Sequence, residues 1–354
     1  MDKADFSEDL FLEIKKLEER LTSVSLPPDL QEKALALTER LKLSFKYGNY
    51  SRNLEEVSNY IDWICSLPWT KRTEDVLDLK FAQKILDENH YGLVGIKNRI
   101  LEYLAVLKLQ QERERAKKVR APILCFVGLV GTGKTTLAYS IAQSMDRRFA
   151  RIPFGGLGDP GFLRGRSRQE VGAEPGQVIK ALRSAGSKNP VILLDEIDRV
   201  VEESRSTIMG VLVELLDPEQ NSRFNDYFLD YPFDLSEVLF IATANNTTNI
   251  STAVLDRLEP MQMPSYTDEE KITIGQRYIL TKTMKAMGLR ASDLEIAGPV
   301  WPKIVRPLGF DAGVRTLERN ISTICRKVAR MIVEGKREKV VITEENLKDF
   351  VSTW

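Results

Sequence analysis

Apolar positions in the first part of the chain recur three and four residues apart. Leu10, Ile14, Leu17 and Leu21 share one helix face, Pro27-Pro28 opens a second run with Leu30, Ala34, Leu37 and Leu41, and a third run carries Leu54, Val57, Ile61 and Ile64. Residues 1–78 are therefore expected to be helical, as a small bundle or as a docking or oligomerisation arm; spacing leaves both open. Ser66-Leu67-Pro68-Trp69 ends the third run and begins a linker. From Phe81 another helix leads into Asn89-His90-Tyr91-Gly92-Leu93, and a long amphipathic helix is expected from Val94 through Leu109.

The period then changes. Ile123 to Val127, Phe149 to Pro153, Val191 to Leu194, Val238 to Thr243 and Met261 to Met263 are short apolar runs separated by helical patterns. Strands alternating with helices predict a parallel sheet covered on both faces, with ligands at the carboxyl ends of its strands. After Pro264 the pattern is helical again, over Asp268 to Thr283, near Val300 to Val305, and from Gly313 to Gly335. A short strand, Lys339 to Ile342, precedes a last helix with Thr343 expected as N-cap and Glu344 and Glu345 behind it. The expected division is a helical segment over 1–78, an α/β domain over 79–264 and a helical domain over 265–354.

Composition narrows the classes. At 354 residues the chain can hold two or three domains. Lys+Arg and Asp+Glu both number 51, so no overall field draws it to nucleic acid or an anionic membrane. The mixed-sign run Gln111 to Arg120 is expected to be a solvated helix end, with local nucleic-acid contact as the alternative. The amino end lacks the apolar core of a signal peptide and no stretch of about 18 apolar residues occurs, so a cytoplasmic location is the expectation. Cys65, Cys125 and Cys325 lie in apolar segments, where packing explains them. His90 is the only histidine, which excludes metal sites built on two or more.

The chemistry concentrates after the first apolar strand. Gly128-Leu129-Val130-Gly131-Thr132-Gly133-Lys134-Thr135 is a phosphate-binding loop between strand and helix, with Thr136 counted among its contacts. Its glycines let backbone N–H groups turn toward phosphate oxygens, Lys134 reaches the β- and γ-phosphates, and Thr135 offers a hydroxyl to Mg²⁺. Val191 to Leu194 ends in Asp195-Glu196: Asp195 is assigned to the metal and Glu196 to the attacking water. Asn245, at the tip of the Val238 strand, could orient that water or be a plain turn residue. Arg257 and Arg315 could stabilise phosphoryl-transfer charge or form surface ion pairs; spacing does not choose.

These residues, with Ser66-Leu67-Pro68-Trp69, His90-Tyr91-Gly92-Leu93, Ile100 to Val106, Leu215 to Asn221 and Gly313-Val314-Arg315, resemble the ATPase part of the Lon proteases, within the AAA+ superfamily. The resemblance runs from about Leu54 to Trp354. It implies ATP and Mg²⁺ as cofactors and a C-terminal helical lid. Asn245 would be sensor 1, Arg257 the arginine finger offered to a neighbouring subunit and Arg315 the sensor 2 arginine, with His90 and Tyr91 near the adenine. It also implies a homo-oligomeric ring, usually a hexamer, that hydrolyses ATP to unfold or move polypeptide substrates toward a peptidase.

The family continues into a peptidase domain with a Ser-Lys dyad, which is not expected within these 354 residues, and begins with a substrate-recognition domain, of which only the helical end is expected here. Its central-pore loop usually carries an aromatic residue where Arg168-Gln169-Glu170-Val171-Gly172 has Glu170, a hydrated carboxylate that should grip polypeptide poorly. Glu203 to Met209 lacks the family's usual Gly-Asp-Pro. The alternative is therefore a stand-alone regulatory or scaffolding AAA+ protein that binds nucleotide without threading substrate. Balanced charge disfavours a nucleic-acid remodeller.

Overall fold

The computed structural model describes residues 3–46, 52–112, 123–306, 311–336 and 338–351. Residues 113–120 of the mixed-sign run lie outside them. Three helices, α1 (Lys3–Ser23), α2 (Pro28–Lys46) and α3 (Arg52–Ser66), precede α4 (Leu79–Asn89) and α5 (Val94–Glu112). Asp78 sets the start of α4, because its carboxylate accepts the otherwise unpaired N–H groups of Lys80 and Phe81 at 2.8 and 3.3 Å.

The α/β region runs β1 (Ile123–Val127), α6 (Lys134–Ser144), β2 (Phe149–Pro153), α7 (Gly161–Arg164), α8 (Gln177–Ala185), β3 (Val191–Asp195), α9 (Arg205–Leu216), β4 (Phe224–Asp226), β5 (Tyr231–Phe233), β6 (Leu239–Ala244), α10 (Thr252–Leu255) and β7 (Leu258–Gln262). Five of these strands form a parallel sheet in the order β2-β3-β6-β1-β7. The carboxyl ends of β1, β3 and β6 therefore lie side by side. The fifth strand lies at Leu258–Gln262 rather than Met261 to Met263. As an edge strand it tolerates Pro260 in its middle, and its partly exposed residues break the apolar run that sequence reading looks for. The antiparallel β4–β5 pair had no such signal either.

The last part contains α11 (Asp268–Ile274), a π turn, α12 (Leu280–Ala286), β8 (Leu294–Ile296), α13 (Trp301–Val305), α14 (Arg315–Val333), β9 (Val340–Ile342) and α15 (Leu347–Phe350). Thr267 and Glu270 form a reciprocal capping box at α11. Thr343 does not cap α15. The Asn346 side chain instead accepts from Thr343 N and donates to Val341 O, both at 2.9 Å, closing a turn that delays the helix to Leu347.

Among the described residues the core forms three apolar clusters. One joins Ile14, Leu21, Ile61 and Ile64 of the N-terminal helices to Phe154, Leu182 and Phe233 of the α/β region. Tyr60 donates to Leu229 O at 3.1 Å and the Trp69 ring lies 4.8 Å from that of Phe233, so α1–α3 bury their stripes against the α/β region. A second cluster covers the other side of the sheet under α4, α5 and α6. The third belongs to the C-terminal helices around Trp301, Ile321 and Ile324. Among the described residues no helix is long and apolar enough to cross a membrane.

Candidate functional site

The loop after β1 turns twice through the left-handed region, at Gly131 (φ 82°) and Gly133 (φ 92°), before α6 begins at Lys134. Lys134 is buried, and its Nζ donates to Gly128 O at 2.5 Å, Leu129 O at 3.0 Å and Asn245 Oδ1 at 3.2 Å. Burial lowers its pKa, while the carboxylates of Asp195, Asp198 and Glu196 act in the opposite direction. The Thr132 and Thr136 hydroxyls donate to Leu129 O and Gly133 O, at 2.9 and 2.8 Å; Thr132 is buried, and Thr135 and Thr136 are both exposed on the first turn of α6. Val130 is also partly exposed on the loop.

Across from this loop, Asp195 ends β3 with its side chain only 5% exposed. One oxygen, Oδ2, accepts from Arg151 Nε at 2.7 Å and is in ion-pair contact with Nη2 at 2.6 Å; the other accepts from the Thr243 hydroxyl. The register Leu194↔Ala242 places Thr243 of β6 next to Asp195. The same hydroxyl oxygen accepts from Glu196 N at 2.9 Å, and Glu196 sits at φ 58°, a backbone conformation disfavoured for a side chain of its size. Thr243→Val should thus leave a buried carboxylate oxygen and a buried N–H unpaired, costing about 1–3 kcal/mol in urea unfolding. An unchanged unfolding midpoint would contradict that role.

Asn245 follows β6 and spends its carbonyl on Lys134, but its Nδ2 is buried without a partner. Such an unpartnered donor, on a side chain whose oxygen is bonded to Lys134, fits a phosphate oxygen or an ordered water. Among the described residues no group of three or more His, Cys, Asp or Glu could hold a metal by itself. One carboxylate and one hydroxyl are instead the hard-oxygen set that Mg²⁺ uses when phosphates and water complete its shell.

The C-terminal helices reach this loop directly. Val314 N donates to Gly131 O at 3.0 Å, and Tyr266 donates its hydroxyl to Thr132 O at 3.2 Å. Any Cβ on Gly313 would lie 2.5 Å from Val130 O, so only glycine permits the approach. Arg315 begins α14 against Gly131, with its side chain exposed at the rim.

His90 and Tyr91 are separated in role. His90 is buried under α6, its Nε2 2.9 Å from Ser140 Oγ and its carbonyl accepting Lys97 Nζ at 2.6 Å. Burial, assisted by the Lys97 charge, lowers its pKa to about 4. Tyr91 is half-buried against the C-terminal cluster. A cleft of about 620 Å³ opens beside this turn, between Leu93 to Ile96 and Pro260 to Gln262. The folded state keeps His90 neutral while the unfolded chain protonates near pH 6.5, so its contribution is complete above that pH and is lost as pH falls toward 4. Asp226, buried and raised to about 6, opposes it in part of that window. Relative to His90→Asn, the wild type should therefore lose about 2 kcal/mol more between pH 7 and pH 5 in urea unfolding. Equal losses would remove His90 as the cause.

Arg257 is not brought to this site. Its carbonyl accepts from Ile123 N at the start of β1, so it lies at the amino end of the sheet, about 16 Å of strand from the phosphate loop. It is held there by Asp217 Oδ2 and Ala253 O, both at 2.7 Å.

Residues 124–265 match the model of the ATPase family associated with various cellular activities (AAA), and residues 285–341 match the Lon protease AAA+ ATPase lid domain. The chain belongs to the Lon-type AAA+ ATPases. It is 46% identical over 331 residues to the Lon protease of Desulforamulus reducens, covering 94% of this chain and 40% of that protein. It is 44% identical over 339 residues to Lon protease 1 of Bacillus subtilis, covering 96% and 43%. The chain spans about two-fifths of the length of these relatives.

In this Lon-type ATPase, Lys134, Asp195, Glu196 and Asn245 converge as their positions at strand ends imply. Sequence reading missed Arg151, Thr243 and Tyr266. Thr243 stands two residues before Asn245 on the same strand, and the polar residue within Phe149-Ala150-Arg151-Ile152-Pro153 was a visible anomaly; only strand order shows that either meets Asp195. The Glu170 loop projects from the Lon-type ATPase with Val171 86% exposed, on a stem closed by Arg166 N to Glu174 O at 3.0 Å.

Proposed function

We propose that this chain binds and hydrolyses Mg-ATP at the site between the β1 loop and β3, and that hydrolysis drives unfolding or translocation of polypeptide. The observation that carries this reading is the convergence of Lys134, Asp195, Glu196 and the unpartnered Nδ2 of Asn245 beneath a lid bonded to Gly131 and Thr132. Lys134 would exchange its loop carbonyls for β- and γ-phosphate oxygens, and Thr135 and Asp195 would hold Mg²⁺. Bound Mg²⁺ would offset charge on the phosphates. Glu196 would accept the proton of the attacking water, with Asn245 Nδ2 orienting that water. Arg315 would approach the phosphates from the lid, Arg257 would act on a neighbouring subunit's site, and the base would lie near the His90-Tyr91 turn.

The reading places the protein in the cytoplasm as a homo-oligomeric ring, usually a hexamer, working with a peptidase. Phosphate release measured with and without Mg²⁺, beside oligomer mass, tests it: Mg²⁺-dependent turnover by a ring supports it, and absence of nucleotide binding overturns it. A second reading, a regulatory or scaffolding AAA+ protein, is favoured by Glu170 at the exposed loop tip. Vigorous ATP-driven unfolding of a tagged substrate by the unmodified chain would exclude that second reading.

A further inference from the structure

We propose that Arg151 is an internal competitor of Mg²⁺ for Asp195, so that it sets how much Mg²⁺ the nucleotide site requires. The proposal rests on the Mg-nucleotide reading above and adds a positioning residue to it.

The geometry is asymmetric. Arg151 engages Asp195 through Oδ2 alone, with Nε donating at 2.7 Å and Nη2 in ion-pair contact at 2.6 Å, and Oδ1 takes the Thr243 hydroxyl. A cation approaching this carboxylate, directly or through a bound water, meets the Arg151 guanidinium at Oδ2 or the Thr243 hydroxyl at Oδ1. Thr243 is fully buried and also holds the Glu196 backbone, so giving up its bond would disturb the turn that aims Glu196. Arg151 has no such second task among the described contacts. Its side chain is 53% exposed, whereas that of Asp195 is 5% exposed. A half-exposed guanidinium can move into water at little desolvation cost, but the carboxylate cannot follow it. Arg151 stands on β2, the edge strand of the sheet, where no neighbouring strand confines it on the outer side.

A dication and a guanidinium on one carboxylate repel each other, so arrival of the metal and release of Arg151 are coupled events. The two are then thermodynamically linked: whatever Arg151 gains from Asp195, Mg²⁺ must exceed. Lys134 does not duplicate this role, because its Nζ is spent on Gly128 O, Leu129 O and Asn245 Oδ1 rather than on Asp195. In the resting site Arg151 thereby neutralises the buried acid without occupying the phosphate cradle.

The test reads binding rather than turnover. An N-methylanthraniloyl-labelled ADP is titrated onto the full chain over a series of free Mg²⁺ concentrations, for the wild type, Arg151→Met and Arg151→Lys. Arg151→Met should lower the Mg²⁺ midpoint about tenfold while changing affinity in EDTA less than about twofold. Arg151→Lys keeps the charge with fewer contacts and should lower it less; it also carries the test if Arg151→Met does not fold. An unchanged or raised midpoint in a folded variant overturns the proposal, since an Arg151 that merely orients Asp195 would weaken metal binding when removed. If the wild type shows no Mg²⁺-dependent nucleotide binding, the underlying reading fails instead, whatever the variants do.

Discussion

Glu196→Gln is expected to reduce ATP turnover by roughly two to four orders of magnitude while leaving nucleotide affinity near that of the wild type. The substitution keeps the size of the side chain, and the backbone turn that places it depends on Thr243 accepting from the residue 196 N–H, which glutamine retains. If Glu196 takes the proton of the attacking water, as proposed, that acceptor is what disappears. The Glu196 carboxylate is part-exposed, 3.6 Å from Arg199, and close enough to Gly155 that a Cβ there would lie 3.0 Å from Oε2. If nucleotide is held by Lys134 and the loop amides, as proposed, binding should survive, because Glu196 makes no hydrogen bond to Lys134. Phosphate release under saturating ATP, beside direct nucleotide titration, separates the two quantities. Turnover at the wild-type rate would remove Glu196 from the chemistry, and joint loss of binding and turnover would point to a collapsed site.

Arg257→Ala should reduce turnover by about 10³–10⁵, and the loss should be repaired in mixed assemblies. Arg257 lies at the amino end of β7 and so at the far end of the sheet from its own phosphate loop. If it acts on ATP at all, it does so on a site whose loop belongs to another subunit. An Arg257→Ala subunit keeps its own Glu196, and a Glu196→Gln subunit still presents Arg257, so mixing two nearly inactive proteins should recover turnover. Recovery that grows with the fraction of mixed neighbours supports action across an interface. No recovery in assemblies shown to be mixed would reduce Arg257 to its ion pair with Asp217, a part-exposed contact whose loss costs little stability.

The two arginines show where the sequence stops being readable. Arg257, after Leu255-Asp256, and Arg315, after Gly313-Val314, carry no local pattern that tells their positions apart. The structure puts Arg315 one residue beyond Val314, whose N–H binds the phosphate loop, and puts Arg257 behind the sheet. His90 is a similar case. The imidazole is buried beneath α6 against Ser140, whereas the next residue, Tyr91, is half-buried.

By itself the sequence determined the phosphate loop, the acids after the third apolar run, the asparagine after the fourth, and a helical lid. Each of these is local: glycine conformational freedom, the apolar run of a buried strand, and the polar residue that ends it are all written within a few neighbouring positions. Tertiary structure alone decided which residues meet. Strand order brings Arg151 and Thr243 onto the two oxygens of Asp195 from separate strands, and the lid closes on Gly131 because Gly313 lacks a side chain. Those contacts join residues tens to well over a hundred positions apart, and no periodicity along the chain records them, because they arise from the packing of finished elements rather than from the propensities that form each one.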